Sequence, residues 1–482
     1  MQGIALIADS DLAVPPDEAF WLFGQGGQSG WLLGATCDAV RPGTAVSLRL
    51  PAGLGSQPGI DILGRIGACV PGRLIEVVHD QPWHGRLRLK FKPASGGGTR
   101  FSVSAELDTD GLAWLMDRRG LAPRSGGDVG ARRDEGAAVH RLGLLTSKSG
   151  PGAVFAMACD YLARLAVEEV NAEGGLGGKP VDLMVRDDAT DPGRAGLEAG
   201  CLAAAGCQAI VASVTSASFE AAQRTVAGAG PLLLYPILNE GGAVGGNVLR
   251  WGERPLDQVR AVAGRMMKGA GSRHWYLVGN DYCWSHGAHL AAVRAIEAVG
   301  GQVVGDVFTP LGTTDFGPVI EGIRGSRATL VVSSLVGADE VAFERQAWSS
   351  GLRQSCDVLS LAMEESTRER VGDDASTGLW AAFGYFEAVE NAANRELRRR
   401  YREAYGRWAP PISTFAESVY EAILLYAAAA RSADDRTDIL RRLQHARASM
   451  PRGPVAAAGP DSMSQRLRVA RAVPGGFRLI NE

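Results

Sequence analysis

From Val139 onward, short apolar runs alternate with stretches in which apolar residues recur at helical spacing, and the runs end on polar or aromatic residues. Val139 to Thr146 suits a buried parallel strand, with the loop Ser147 to Gly152 after it. Ala156 to Asn171 then carries Leu162, Leu165, Ala166 and Val170 on one helical face, and the glycine-rich Gly174 to Gly178 ends it. The cycle repeats through the strand-like runs Val181 to Arg186, Ala209 to Ser213, Leu232 to Tyr235, Trp275 to Gly279, Gln302 to Phe308 and Thr329 to Ser334. Strand–helix alternation predicts an α/β fold with an open parallel sheet, and the length of the segment predicts two such lobes. In sheets of this kind ligands bind beyond the carboxyl ends of the strands.

Residues 1–115 have a different texture. Thr44 to Leu50, Asp61 to Cys69, Arg73 to His79, Gly85 to Lys92 and Arg100 to Leu107 alternate with period two between Pro, Gly and Ser clusters. They predict a small β domain, a barrel or a sandwich. In Arg86 to Lys92 the basic residues share one face, which either contacts an anionic partner or is simply solvated; the solvated reading is the stronger. Gly24 to Gly30 is only loosely like a phosphate loop, lacks its Lys-Ser/Thr and reads better as a turn. Asp117 to Ala138 is rich in Gly and charge, so residues 116–138 read as a linker to a ligand-binding domain at 139–482.

Composition narrows the function. The chain has 482 residues, 46% hydrophobic and 21% charged, with a formal net charge of −3, and shows no basic excess of the kind direct nucleic-acid binding needs. No run reaches the roughly 18 apolar residues of a membrane span. The start, Met1 to Ala8, lacks a basic region before its short apolar run, so a cytoplasmic protein is expected, with a periplasmic one as the alternative. The seven cysteines fit neither a disulfide framework nor a zinc site. Neither a serine-hydrolase elbow nor a zinc-protease motif is present, so a non-enzymatic protein with no cofactor and no metal is expected. Asp187, Asp188 and Asp191 read as caps and turns rather than as a metal cluster.

The ordered segments LAVEEVNAEGGLGGKPVDLMVRDDATDP, VASVTSAS, LLLYPILNEGG, VGNDYCWSHG, PLGTTDF, SLAMEE and PRGPV, spanning about Val139 to Ile480, resemble the type 1 periplasmic-binding-protein fold. Within it they are most similar to the urea and short-chain amide receptors. The resemblance implies two lobes closing on a small amide-like ligand without chemistry. It implies either a sensor with a regulatory protein partner or the substrate-binding component of an ABC transporter with its permease, and it is compatible with a homo-oligomer.

It also implies where the ligand lies. Hydroxyls of Thr215, Ser216 and Ser218, with free N–H groups at a helix start near Phe219, can bond a carbonyl oxygen, and Ser216 matches a ligand-binding serine of the family. One of these residues can instead be a plain N-cap. Tyr235 ends the next strand, while Asn239 and Val214 stand where relatives carry aromatic residues. Tyr282 and Trp284 are the expected aromatic clamp. Asp281 is expected to be structural, and His286 can add pH dependence. Glu364 or Glu365 can accept from ligand N–H groups, or can offset a helix dipole. Tyr385 and Phe386 sit where relatives carry an aromatic pair, and can equally be core.

Overall fold

The structure, a computed structural model, describes residues 4–50, 59–94, 96–108, 111–112, 114, 139–228, 230–241 and 246–480. The expected linker at 116–138 lies outside the described residues. The chain divides into two compact units, Met1–Ala137 and Ala138–Glu482.

In the first unit, Ile4–Leu12, Thr36–Cys37, Ala45–Leu50, Ile60–Val70, Leu74–Gln81, Gly85–Pro93 and Thr99–Leu107 form one antiparallel sheet. All but the first follow one another as a meander; Ile4–Leu12 returns to pair with the last strand. A barrel or sandwich was expected from the alternation. Among the described residues there is instead this single sheet, whose inner face buries Leu87, Leu89 and Phe91. The helix Pro16–Trp21 covers that face, with Phe20 packed edge-on against Phe91 at 5.7 Å.

The basic outer face is solvated and paired. Arg88 bonds Glu76 at 2.9 Å across one strand boundary and Glu106 at 2.5 Å across the other, the cross-strand pairing that stabilises a sheet surface. Gly24 to Gly30 is a turn: the N–H groups of Gly26, Gly27 and Gly30 bond the carbonyls of Asp38, Cys37 and Ala35. Those groups are therefore committed within the backbone and cannot cradle a phosphate.

The second unit has two lobes. The first holds the parallel strands His140–Thr146, Val181–Asp187, Ala209–Ser213, Leu232–Tyr235 and Val248–Arg250, with the first strand between the second and third. The second holds His274–Asn280, Gln302–Thr309, Leu330–Ser334, Asp357–Ser360 and Trp380–Phe383 in the same parallel order. The antiparallel strands Arg468–Val473 and Gly476–Leu479 extend it. Near-continuous burial of the inner strands, such as Ala209–Ser213 and Leu330–Ser334, follows from helices covering both faces, as the apolar runs predict. The helix Ala153–Ala172 packs against Thr414–Arg431 in the first lobe.

Strand order reverses once in each sheet. The reversal falls between His140–Thr146 and Ala209–Ser213 in the first lobe, and between His274–Asn280 and Leu330–Ser334 in the second. Neighbouring crossover connections diverge there, which opens a crevice at the strand ends. The lobes also touch beyond these ends: the Ala338 N–H donates to the Pro151 carbonyl at 3.0 Å. Gly337 makes that approach possible, having φ 58° and ψ −121° and no Cβ, which would meet the Pro151 oxygen at 2.1 Å.

Candidate functional site

Both crevices open into one cavity between the lobes. From the first lobe come Ser147, Gly152 and Phe155 after the first strand, Ser213 to Ser216 after the third, Tyr235, Ile237 and Leu238 after the fourth, and Phe415. From the second come Tyr282, Trp284, Val336 and Ala362. Space for the centres of water-sized spheres amounts to about 40 Å³, room for about three waters at the ~10–15 Å³ that each occupies on this measure. The lining is hydroxyls, aromatic rings and aliphatic groups, with no charged side chain among the described residues.

Five of the expected residues, Thr215, Ser216, Tyr235, Tyr282 and Trp284, line this cavity. Thr215 caps the helix Ser216–Thr225, its Oγ1 accepting from the Ser218 N–H at 3.3 Å, so this helix starts three residues before the expected Phe219. Ser216 donates to Oε2 of Glu240 at 2.7 Å. Tyr235 donates to the Val214 carbonyl at 3.0 Å, and its ring stacks on Phe219 with centroids 4.0 Å apart. Burial holds the phenols of Tyr235 and Tyr282 well above their ordinary pKa, so both stay protonated. Trp284 is buried, and its indole N–H has no partner among the described residues.

Three expected residues do not line the cavity. Ser218 is fully buried beside Asp188. Glu364 caps the helix Glu365–Val371, taking bonds from the Ser366 N–H at 2.8 Å, the Thr367 N–H at 2.6 Å and the Thr367 hydroxyl at 2.7 Å. With these bonds made it is a structural carboxylate, and burial raises its pKa in spite of them. Tyr385 is core: its hydroxyl donates to Asn394 Oδ1 at 2.8 Å. Nor do Glu365, Asp281 and His286 reach the lining; Glu365 accepts from the Glu387 N–H at 2.8 Å, and Asp281 pairs with His286 at 2.9 Å. Asn239 does not replace the lost aromatic wall. Its side chain closes the loop instead, accepting from the Gly241 N–H at 3.1 Å and donating to the carbonyls of Ile237 and Gly252.

Sequence reading missed Ser147, Phe155, Val336, Ala362 and Phe415 as lining residues. Ser147 and Val336 were findable, because each follows a strand at a switch point; Phe415 lies in a distant helix and carried no signal. Behind Ser147 sits Asp188, whose carboxyl is pushed up to about 6 by burial, against the pull of the Ser147 and Ser218 hydroxyls and the Thr190 N–H. Asp187 and Asp191 serve turns and a cap: Asp187 bonds the Ser149 hydroxyl at 2.7 Å, and Asp191 accepts from the Arg194 N–H at 2.7 Å.

Two further groups have chemical potential. Glu220, Glu240 and Cys283 bring their donor atoms within 4.8 Å of one another, so they could hold a metal ion; burial and the two carboxylates push the Cys283 thiol up to about 12. Ser334, His289 and Asp306 form a hydrogen-bonded chain of 3.0 and 2.6 Å. Ser334 and His289 are buried and do not line the cavity, so this chain braces the strand end rather than facing a substrate. Among the described residues no helix is long and apolar enough to cross a membrane.

The profile of a family described as "Periplasmic binding protein" matches residues 140–476. The Leu/Ile/Val-binding protein BraC3 of Rhizobium johnstonii is 28% identical over 196 residues, 39% of this chain and 53% of that protein, so the chain spans about half the length of the curated relative it matches. Among solved structures, the solute-binding protein of an ABC transporter from R. palustris, in complex with benzoate, superposes with a TM-score of 0.64 at 19% identity, over 71% of this chain and 96% of that one. The branched-chain amino acid transporter substrate-binding protein LivJ from Streptococcus pneumoniae, in complex with isoleucine, superposes with a TM-score of 0.64 at 20% identity, over 72% and 100%.

Proposed function

The chain belongs to the periplasmic binding protein family, and from that premise we propose that it binds a small solute between its two lobes as the solute-binding component of an ABC transporter. The observation that carries the reading is the cavity itself. It lies where both sheets reverse strand order and combines hydroxyls with an aromatic wall, the ordinary make-up of a small-molecule site.

Thr215, Ser216, Tyr235, Tyr282 and Trp284 are the residues we assign to ligand contact. A cavity with no charged side chain in its lining among the described residues suits a neutral solute better than a zwitterion, whose ammonium and carboxylate would both be buried unpaired. A short-chain amide or urea meets that description. Branched-chain amino acids, suggested by the names of the relatives, are the rival class.

The two solved relatives are described as solute- or substrate-binding proteins of transporters, which favours the transport role, and with it action outside the cytoplasm, over the sensor role expected above. Nothing in the fold or the cavity favours a sensor. The test is ligand-induced thermal stabilisation against small amides, urea, branched-chain amino acids and aromatic acids. A saturable rise in the unfolding midpoint with one class supports the reading and names the class. No rise with any of them at millimolar concentration contradicts it.

A further inference from the structure

A hydroxyl owns one hydrogen, so where that hydrogen is spent decides what its oxygen offers a ligand. Tyr235 spends its hydrogen on the Val214 carbonyl, which can only accept. Ser216 spends its own on the Glu240 carboxylate. Both residues line the cavity, and their oxygens lie 3.4 Å apart. A ligand therefore meets two lone-pair-bearing oxygens side by side, close enough to share one N–H or O–H in a three-centre bond. Donors of the lining include the unpartnered Trp284 indole N–H and the hydroxyl of Thr215, whose oxygen accepts from the Ser218 N–H.

We propose that Glu240, by holding the Ser216 hydrogen, sets the polarity of the cavity, so that it takes neutral solutes that donate an N–H or O–H to Ser216 and Tyr235 and rejects carboxylates. The inference rests on the solute-binding reading above and names the ligand class for it. A primary amide can donate to the paired oxygens and still present its carbonyl to an N–H donor. A carboxylate of the same shape can only accept, and it would face two acceptors with no cation in the lining. Glu240 does not line the cavity, so it is a positioning residue that acts through Ser216.

Matched pairs test this: acetamide against acetate and isobutyramide against isobutyrate, titrated calorimetrically into the full chain and into Glu240→Gln and Tyr235→Phe. The amide of a pair is expected to bind at least about tenfold tighter than its carboxylate, the penalty for leaving a buried acceptor unpaired. In Glu240→Gln the new carboxamide can donate to Ser216 and free its hydrogen, so the amide-to-carboxylate ratio is expected to fall by about tenfold. General destabilisation would instead weaken both members together. Tyr235→Phe deletes one acceptor and is expected to weaken the amide without strengthening the carboxylate; it carries the test if Glu240→Gln does not fold. A carboxylate that binds the wild type as well as its amide overturns the inference while solute binding stands. An unchanged ratio in Glu240→Gln, or an unchanged amide affinity in Tyr235→Phe, overturns it as well. Binding of none of the four solutes overturns the inference, and the solute-binding premise falls with it only if urea, branched-chain amino acids and aromatic acids also give no thermal stabilisation.

Discussion

The first-lobe strand end at Val214–Ser216 and the second-lobe turn at Ala362–Glu365 present similar sequences to the reader, each a polar cluster between a buried strand and a helix. In the first, Thr215 takes the capping role and leaves Ser216 and Tyr235 on the cavity wall. In the second, Glu364 does the capping itself, and its three hydrogen bonds take the carboxylate away from any ligand. The difference lies in which residue of the cluster stands at the N-cap. Glu364 spends both carboxylate oxygens on its helix start, whereas Thr215 spends one acceptor site on the Ser218 N–H and still lines the cavity.

Asp188, which backs the first-lobe wall, gives the largest expected effect. Its carboxyl is raised from 3.8 to about 6 in the folded state, chiefly by burial, so the unfolded chain ionises first as pH rises. Its contribution to stability is therefore fully kept below about pH 4 and declines between about pH 4 and 6, by about 3 kcal/mol at ~1.4 kcal/mol per pKa unit. Urea unfolding across this range is expected to show that slope in the wild type and to lack it in Asp188→Asn. A difference curve that is flat with pH would remove Asp188 from the first-lobe account.

Gly337 sharpens the contrast from the second-lobe side. Gly337→Ala places a Cβ where the Pro151 oxygen lies 2.1 Å away, at a backbone conformation that an L residue rarely adopts. Overpacking of this kind costs about 1–3 kcal/mol, and it falls on the contact that brings the lobes together. Solute affinity is expected to drop by roughly ten- to hundredfold, measured by calorimetric titration of whichever solute stabilises the wild type. Unchanged affinity would mean that the contact between Pro151 and Ala338 is not part of the binding arrangement.

Much of this was legible in the sequence. The strand runs Ala209–Ser213 and Leu232–Tyr235 were read with their observed limits, because buried parallel strands are uninterrupted apolar runs with polar stops. The resemblance to the family's motifs pointed to Ser216, Tyr235, Tyr282 and Trp284, and all four line the cavity. The strand Ile4–Leu12 was not, as Asp9 and Asp11 break its apolar run and Ile7 faces outward, 69% exposed. Asp11 does its work by pairing with Arg100 at 3.0 Å, a partner 89 positions away that no local pattern reveals. Glu364 and Tyr385 were misjudged for a related reason: whether a polar atom is spent on a cap or on Asn394 is set by tertiary neighbours.

The most direct test of the account compares Ser216→Ala with Glu364→Ala, measuring for each both the unfolding free energy and the affinity for the stabilising solute. The account predicts a split. Ser216→Ala should lose about tenfold in affinity, the worth of one hydrogen bond near ~1.4 kcal/mol, beside the stability lost with its bond to Glu240. Glu364→Ala should lose about 1–2 kcal/mol of stability, as a removed N-cap does, with affinity kept. Affinity lost in Glu364→Ala and kept in Ser216→Ala would contradict it, and would put the binding site at the second-lobe turn.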